Sequence, residues 1–260
     1  MTNLKSYLIS GLNKIFLMLS KKRFLMPANN QYRSKHGTAD LINDLIASII
    51  SKRDSDEPMQ TNYLEIGIWQ GYNLERIKAS TKTGVDPKPK CLPTFQPNTK
   101  IFKGTSDVFF SHRDNTKHYS VIFIDGFHDA IQVYCDLSNA LRVLTPDGLI
   151  VVDDVWPENY VASKRWVDLS QEEKLKVNKH ALTWRGDIYK LILYLQNEPF
   201  LVSSISLDLI INNETRQAIL KPKIDPTNLA SFLDDARPLF LEYEKSVRNS
   251  QLWKNENHFD

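Results

Sequence analysis

The sequence contains little cysteine, no internal repeat and no low-complexity segment. Its 260 residues include two cysteines and no C-x-x-C pair, which excludes a disulfide framework and makes a reducing, cytoplasmic setting the expected one. The apolar and charged fractions, 42% and 25%, are ordinary for a soluble globular protein. A chain of this length is long enough for one large domain with appendages.

Acidic residues are absent from residues 1–35, which carry seven basic residues. The net charge of +2 therefore hides a basic leader and a mildly acidic body. Because a nucleic-acid-binding domain normally presents a basic face of its own, we expect no nucleic-acid partner.

The leader has the hydrophobic periodicity of an amphipathic helix. Its longest apolar run, Ile15–Leu19, is far too short to cross a bilayer, and no signal-peptide cleavage site is evident. We expect this helix to pack on the domain or on a second subunit of a homo-oligomer. The alternatives are a peripheral contact with an anionic membrane surface and, more weakly, an organellar leader.

Two continuous aliphatic runs, Val121–Asp125 and Leu149–Asp154, are typical of parallel strands covered on both faces. Three further parallel strands are predicted. The first covers Asn62–Gly67, the second is short and ends with Gly84–Asp86, and the third covers Lys100–Lys103. The segments Phe200–Ile211 and Thr215–Leu220 are β-rich and predict an antiparallel pair. The fold class is therefore α/β, with a Rossmann-like, seven-stranded, mostly parallel sheet, helices on both faces and an antiparallel C-terminal edge hairpin.

Three helices have predicted bounds, and two of them have predicted caps. A helix is expected over Trp69–Ser80, and another over Asp187–Gln196 with Asp187 as its N-cap. A final helix is expected over Thr227–Val247, with Thr227 or Asn228 near its cap. Pro238 should kink this helix or split it in two.

Acidic residues follow both aliphatic strands. In an open α/β sheet the ligand crevice lies at the carboxyl ends of the strands, so Asp125, Asp153 and Asp154 should converge there, with His128 just beyond Asp125. Carboxylates gathered beside a histidine suggest a hard cation and a proton acceptor. This pattern predicts a site that binds a cation and accepts a proton.

The turn after the first strand contains Gly67 and Gly71 in the pattern E-x-G-x-x-x-G, which begins at Glu65. Glycine permits positive φ and lets a ligand approach the backbone. Asp86, at the end of the second strand, is placed to accept hydrogen bonds from a ribose diol. The looser, acidic turn suits a cationic or zwitterionic ligand better than the pyrophosphate of NAD, so a NAD-dependent oxidoreductase is the weaker alternative.

Together these segments resemble class I S-adenosylmethionine-dependent methyltransferases, and among them the metal-dependent O-methyltransferases that modify sugars and macrolides. L-E-I-G-I-W-Q-G resembles the first glycine motif, G-V-D-P the ribose-binding strand end and G-T-S-D the segment along adenine. I-D-G-F-H-D, L-T-P-D-G-L-I-V-V-D-D-V-W and W-R-G-D-I-Y-K resemble the metal, catalytic and following elements. The resemblance implies a single methyltransferase domain over residues 36–260.

The resemblance also implies roles for individual residues. His128 would be the base, acting beside Asp125, on a hydroxyl of a small acceptor for which a sugar or glycosylated metabolite is favoured. Mg²⁺ would be held by Asp125, Asp153 and Asp154. S-adenosylmethionine would be bound by Glu65, Gly67, Gly71, Asp86, Thr105, Ser106 and Asp125. The alternatives are that Asp153 and Asp154 cap a turn and contact the cofactor without a metal, and that His128 only orients Asp125 or the ligand.

Two positions depart from the family pattern: Ala130, where an aromatic residue is common, and Asp147, where a glycine is common. They leave open a third alternative, an inactive methyltransferase-like scaffold at a membrane surface. The connection 156–185 is longer than most in such sheets and is a candidate lid on the acceptor side.

Overall fold

The computed structural model describes residues 37–52, 60–90, 96–112, 117–179, 183–211 and 216–249. The predictions for the leader, residues 1–35, lie outside this range. Within the described residues, no helix combines the length and the apolar character that crossing a membrane requires.

One seven-stranded sheet organises the molecule, and it confirms the predicted fold class. Its strand order is β3-β2-β1-β4-β5-β7-β6; β1 to β5 run parallel, whereas β7 is antiparallel to both β5 and β6. The strands are β1 Asn62–Ile66, β2 Thr81–Asp86, β3 Thr99–Lys103, β4 Tyr119–Ile124, β5 Leu144–Val152, β6 Ile205–Ile211 and β7 Arg216–Pro222.

Helices lie between and after these strands. A short 3₁₀ turn covers Trp166–Asp168. The α-helices are α1 Thr38–Ser51, α2 Tyr72–Arg76, α3 Ser106–Ser111, α4 Ala130–Leu141, α5 Gln171–Asn178, α6 Tyr189–Asn197, α7 Pro199–Ser204 and α8 Pro226–Asn249.

Two hydrophobic cores, one on each face of the sheet, explain the unbroken aliphatic strands. Along β4, Val121 and Phe123 pack into the core that α1 and α2 cover, while Ile122 and Ile124 pack into the core under α4, α6 and α8. Successive side chains of a strand point to opposite faces, so a strand covered twice must be apolar at every position. The polar residues that follow β4 and β5 then lie where the strands leave the two cores, at the carboxyl ends of the parallel strands.

The helix predicted over Trp69–Ser80 is wrong in its bounds. α2 begins only after Gly71, which has a φ of 75°, and it ends before Ile77, which is extended. Trp69 also has positive φ, at 41°. The residues before α2 therefore form a loop, because left-handed backbone cannot continue a right-handed helix.

The strand predicted over Phe200–Ile211 is half wrong. Its first part is the helix α7, which starts with Pro199 in its first turn and is capped by Glu198, whose carboxylate accepts a hydrogen bond from the Leu201 N–H (2.8 Å). Proline at a helix start and a side-chain cap outweigh the β preference of Phe, Leu and Val there.

Predictions about helix ends also need correction. Asp187 does not cap the helix it precedes, because α6 begins at Tyr189 after Ile188 and has no side-chain cap. At the start of α8, Asp225 accepts hydrogen bonds from the N–H groups of Thr227 and Asn228, so neither of those residues is the cap.

Pro238 does not split the last helix. α8 runs continuously from Pro226 to Asn249 with Pro238 inside it. Pro238 is exposed, so water can satisfy the carbonyl that the proline cannot bond.

Candidate active site

A cavity of about 800 Å³ opens at the carboxyl ends of β1, β2 and β4 and beside the residues that follow β5. Of the predicted site residues, Asp153 is the only one that does not line it. Those that do are Glu65, Gly67, Gly71, Asp86, Thr105, Ser106, Asp125, His128 and Asp154. The structure therefore brings the predicted cofactor-binding residues and the predicted catalytic residues into one cavity.

Gly67 sits where the ends of β1 and β4 touch. Its φ is +85°, and a Cβ at this position would lie 2.0 Å from the Asp125 carbonyl oxygen. Glycine is therefore required at Gly67 for two reasons, the left-handed backbone and the close contact. This contact holds the glycine turn against Asp125, the first residue after β4.

Glu65 is 2% exposed and points to the cavity from β1. Its Oε2 accepts hydrogen bonds from the Tyr63 hydroxyl (2.7 Å) and from Asn73 Nδ2 (3.1 Å). Burial raises the pKa of Glu65 from 4.5 to about 8. A ligand carrying positive charge would favour the ionised carboxylate. Tyr63 and Asn73 were not among the predicted site residues.

Asp86 fixes the loops on either side of it. Its Oδ2 accepts a hydrogen bond from the Trp69 N–H (2.9 Å), and its Oδ1 accepts one from the Lys88 N–H (2.7 Å). Each carboxylate oxygen keeps a further lone pair for a ligand hydroxyl.

The start of α3 forms another wall of the cavity. The Thr105 hydroxyl caps the helix by accepting a hydrogen bond from the Val108 N–H (3.4 Å). The Ser106 hydroxyl accepts one from Gln132 Nε2 (3.3 Å), which ties α3 to α4.

His128 lies between two carboxylates. Its Nε2 is 3.5 Å from Asp125 Oδ1, and its Nδ1 is 3.3 Å from Asp154 Oδ2. Ligand atoms from all three residues lie within 4.8 Å of one another. His128 Nδ1 is buried and has no hydrogen-bond partner among the residues that the structure describes. We call these three residues the acidic cluster.

Burial and charge oppose each other at this cluster. Burial lowers the pKa of His128, but Asp125 and the neighbouring carboxylates outweigh it, so the pKa is raised. Burial raises the pKa of Asp125, although His128 partly offsets the effect. Both shifts express the cost of holding several carboxylates in a partly dry cavity.

Asp153 turns towards its own backbone. Its Oδ1 accepts a hydrogen bond from the Asp154 N–H (2.9 Å). Burial, followed by the charges of Asp125 and Asp154, raises the pKa of Asp153 well above its usual value. Asp154 itself has a φ of 54°, which is uncommon for a residue other than glycine.

The W-R-G-D segment supplies contacts that the sequence analysis did not anticipate. The Trp184 indole stacks on the His128 imidazole, with ring centroids 5.0 Å apart and planes 9° apart. Arg185 donates to Asp154 Oδ1 and to Glu158 Oε1. Gly186, with a φ of +71°, is so close to His128 that a Cβ there would lie 1.9 Å from the His128 carbonyl oxygen. The signals in the sequence were the aromatic residue and the glycine within this motif.

Asp187 anchors the helix that follows His128. Its Oδ1 accepts a hydrogen bond from the Ala130 N–H (2.8 Å), and its Oδ2 pairs with Lys190 (2.8 Å). Lys190 also pairs with Glu244 of α8 (3.0 Å), and all three side chains are buried. This triad fixes the start of α4 to α6 and α8.

Residues 64–155, which include most of these site residues, match the family described as a methyltransferase domain. The chain contains a methyltransferase domain. This match agrees with the sheet and the glycine turn at the cavity, and it confirms the predicted class I S-adenosylmethionine-dependent methyltransferase. Comparison with curated proteins gives no match.

Several solved structures are similar to this chain at low sequence identity and with TM-scores below 0.5. A proposed O-methyltransferase from Klebsiella pneumoniae is 14% identical over 85% of this chain and 97% of its own, with a TM-score of 0.47. The O-methyltransferase TomG from Streptomyces achromogenes, solved with S-adenosylmethionine, is 10% identical over 68% and 77%, with a TM-score of 0.40. The methyltransferase MycE of mycinamycin biosynthesis, solved with Mg, S-adenosylhomocysteine and mycinamycin VI, is 13% identical over 70% and 54%, with a TM-score of 0.39. Identities this low say nothing about the substrate of this chain.

Proposed function

We propose that this methyltransferase moves the methyl group of S-adenosylmethionine to a hydroxyl oxygen of a small acceptor, with Mg²⁺ assisting. A sugar or glycosylated metabolite is the favoured acceptor. The observation that carries the proposal is the acidic cluster, Asp125, His128 and Asp154, placed inside the cavity that also contains the glycine turn.

The cofactor would lie between the glycine turn and the start of α3. Its α-amino group and sulfonium are positively charged, and Glu65 is the buried carboxylate that could match such charge. Asp86 would accept from the ribose hydroxyls, while Thr105 and Ser106 would lie along the adenine. Gly67 and Gly71 would let the cofactor approach the backbone.

His128 would act as the base. When bound, S-adenosylmethionine would supply the methyl group and leave as the neutral thioether S-adenosylhomocysteine, and the acceptor oxygen would gain the methyl carbon. The hydroxyl proton passes to the His128 imidazole, which must be neutral to accept it. Because Asp125 and Asp154 raise the pKa of His128, positive charge that screens them would favour the neutral form.

The residues of the cluster fit Mg²⁺. Asp125 and Asp154 offer the oxygen atoms that this ion prefers, and the Asp125 side chain is 35% exposed, so water or an acceptor hydroxyl can complete the coordination. Asp153 does not line the cavity, and its Oδ1 accepts from the Asp154 N–H, so its place in the proposed ligand set rests on the family resemblance alone. When bound, Mg²⁺ would lower the pKa of an acceptor hydroxyl and orient it.

The connection 156–185 is proposed as the lid on the acceptor side. Its C-terminal end reaches the cluster through Trp184 and Arg185. The Arg185 N–H donates to the Ala162 carbonyl (3.0 Å), and Trp184 Nε1 donates to the Lys164 carbonyl (2.7 Å). These bonds tie the C-terminal end of the segment to Ala162 and Lys164, so a movement of the lid would displace Trp184 and change its contact with His128.

Neither rival function gains support from the site. A NAD-dependent oxidoreductase does not account for the methyltransferase domain match, and an inactive scaffold does not account for His128 held between two carboxylates.

The test is transfer of the labelled methyl group from S-adenosylmethionine to a panel of hydroxylated acceptors, with and without Mg²⁺. His128→Ala should lower the transfer rate by roughly 10²–10⁴-fold, the usual contribution of a positioned base. His112→Ala, a change of an exposed histidine outside the cavity, should leave the rate unchanged. Methylation only of nitrogen or carbon acceptors would contradict the proposal, as would a full rate for His128→Ala.

A further inference from the structure

Arg185 places a positive charge directly on the acidic cluster. Its guanidinium donates to Asp154 Oδ1 and, through Nε (2.8 Å) and Nη2 (2.6 Å), to Glu158 Oε1. The other oxygen of Asp154 faces His128 Nδ1 at 3.3 Å. One oxygen of Asp154 therefore accepts a hydrogen bond from Arg185, while the other faces the His128 ring without a hydrogen bond.

The position of Arg185 is built into the fold. Its side chain is only 16% exposed. On one side Trp184 stacks on His128, and on the other Gly186 has a backbone that no other residue could adopt without strain. The contacts of Trp184 and Gly186 with His128 thus fix the main chain around Arg185 relative to the cluster. The guanidinium is held beside Asp154 as a result.

Glu158 does not fully neutralise the positive charge of Arg185. Arg216 Nε also pairs with Glu158 Oε1, at 3.0 Å. Two guanidinium groups therefore share one carboxylate. The Arg185 guanidinium keeps part of its positive charge unneutralised by Glu158, and it lies beside Asp154. A divalent cation binding at Asp154 would meet this charge at close range, in a partly buried site where screening by water is weak.

We infer that Arg185 is a built-in cation that competes with Mg²⁺ for Asp154 and so weakens and tunes metal binding at this site. The inference rests on the proposed function, since it takes Asp154 as a metal ligand. A divalent ion must either displace the Arg185 guanidinium from Asp154 or share the carboxylate with it. Removal of Arg185 should consequently tighten metal binding, which is the opposite of what loss of a supporting residue normally does.

The experiment measures metal binding directly, by titrating the full chain with Mn²⁺ followed by electron paramagnetic resonance, and with Mg²⁺ by calorimetry. Arg185→Gln should bind either ion on the order of tenfold more tightly than the unaltered protein. Arg165→Gln is the matched control, because Arg165 lies in the same connection and pairs with Asp168 rather than with the cluster. It should leave the affinity unchanged.

A second variant tests the same idea with the opposite sign. Glu158→Gln removes the competing partner and leaves Arg185 with Asp154 as its carboxylate, so metal binding should weaken several-fold. Glu173→Gln, which removes a carboxylate paired with Lys164 in the same connection, should not weaken it. Binding of S-adenosylhomocysteine to each variant shows that the fold is intact.

The outcomes separate this inference from the proposed function. Equal or weaker metal binding by Arg185→Gln, or the same tightening by Arg165→Gln, overturns the inference and leaves metal-assisted transfer standing. Equal weakening by Glu158→Gln and Glu173→Gln also overturns it. If none of the proteins binds Mn²⁺ or Mg²⁺, the metal part of the proposed function fails together with the inference.

Discussion

The Trp184 indole lies flat against the His128 imidazole, with ring centroids 5.0 Å apart and planes 9° apart. The two residues are far apart in sequence, and the indole is itself fixed because its Nε1 donates to the Lys164 carbonyl at 2.7 Å. The proposed base is thus positioned from one face by the stacked ring and from two edges by Asp125 and Asp154.

Replacing Trp184 should slow methyl transfer without weakening cofactor binding. Trp184→Leu removes the stacked face and frees the imidazole to rotate, so we expect kcat to fall on the order of 10–100-fold. Trp184→Phe keeps an aromatic face and loses only the indole hydrogen bond, so its kcat should fall much less. Steady-state kinetics beside titration with S-adenosylhomocysteine measures both effects. A parallel loss of cofactor affinity in Trp184→Leu would argue for a general structural role instead.

Gly186→Ala should destabilise the protein by about 2–4 kcal/mol. The new Cβ would lie 1.9 Å from the His128 carbonyl oxygen, at a φ of +71°. Gly37→Ala is the matched control, since a Cβ at Gly37 meets nothing within 4 Å. Urea unfolding monitored by circular dichroism gives the free energy of unfolding of each variant. Equal stability of the two variants would contradict the close packing of Gly186 on His128.

Lys190→Met should cost about 3–5 kcal/mol of stability, because it leaves the buried carboxylates of Asp187 and Glu244 without their cation. The comparison is Lys176→Met, which breaks the exposed pair with Glu172 on the same helix and should leave the free energy of unfolding almost unchanged. The measurement is again urea unfolding. A small effect at Lys190 would mean that the triad does not hold α4, α6 and α8 together as described.

Glu65 should make the protein less stable as the pH rises from about 4.5 to about 8 in the absence of ligand. Its pKa in the folded protein is about 8 and its usual value is 4.5, so in this window the folded state binds the proton that the unfolded state has released. The contribution to the free energy of unfolding then falls by up to about 1.4 kcal/mol per pH unit.

Glu65→Gln should make the pH dependence of stability shallower by this contribution, whereas Glu75→Gln, a change of an exposed glutamate nearby, should leave it as in the unaltered protein. Unfolding curves recorded at intervals between pH 5 and pH 8 compare the three proteins. The raised pKa of Glu65 would be refuted by parallel pH dependences for the unaltered protein and Glu65→Gln.

Much of the fold could be predicted because strong local patterns and tertiary packing agree. The strands β4 and β5 are apolar at every position between Val121 and Ile124 and between Leu149 and Val152, and each is buried on both faces. The rule that ligands bind at the carboxyl ends of such strands then placed Asp125 and Asp154 at the site. The prediction failed at Phe200, where the capping carboxylate of Glu198 and the following proline decided for a helix.

The contacts that hold the site together were beyond prediction from local patterns. Arg185 and Asp154 are separated by a long connection, and nothing in either segment specifies the partner. Trp184 and Gly186 gave only the signal of an aromatic and a glycine in one motif, which is consistent with many roles. Their contacts with His128 join residues that are far apart in sequence, and local patterns do not specify such pairs.

The most direct test of the account is calorimetric titration of the full chain with S-adenosylhomocysteine, with and without Mg²⁺, beside a titration with NAD. The account predicts binding of S-adenosylhomocysteine with a Kd near micromolar, about −8 kcal/mol, and no binding of NAD. Binding of NAD with no heat from S-adenosylhomocysteine in either condition would contradict it.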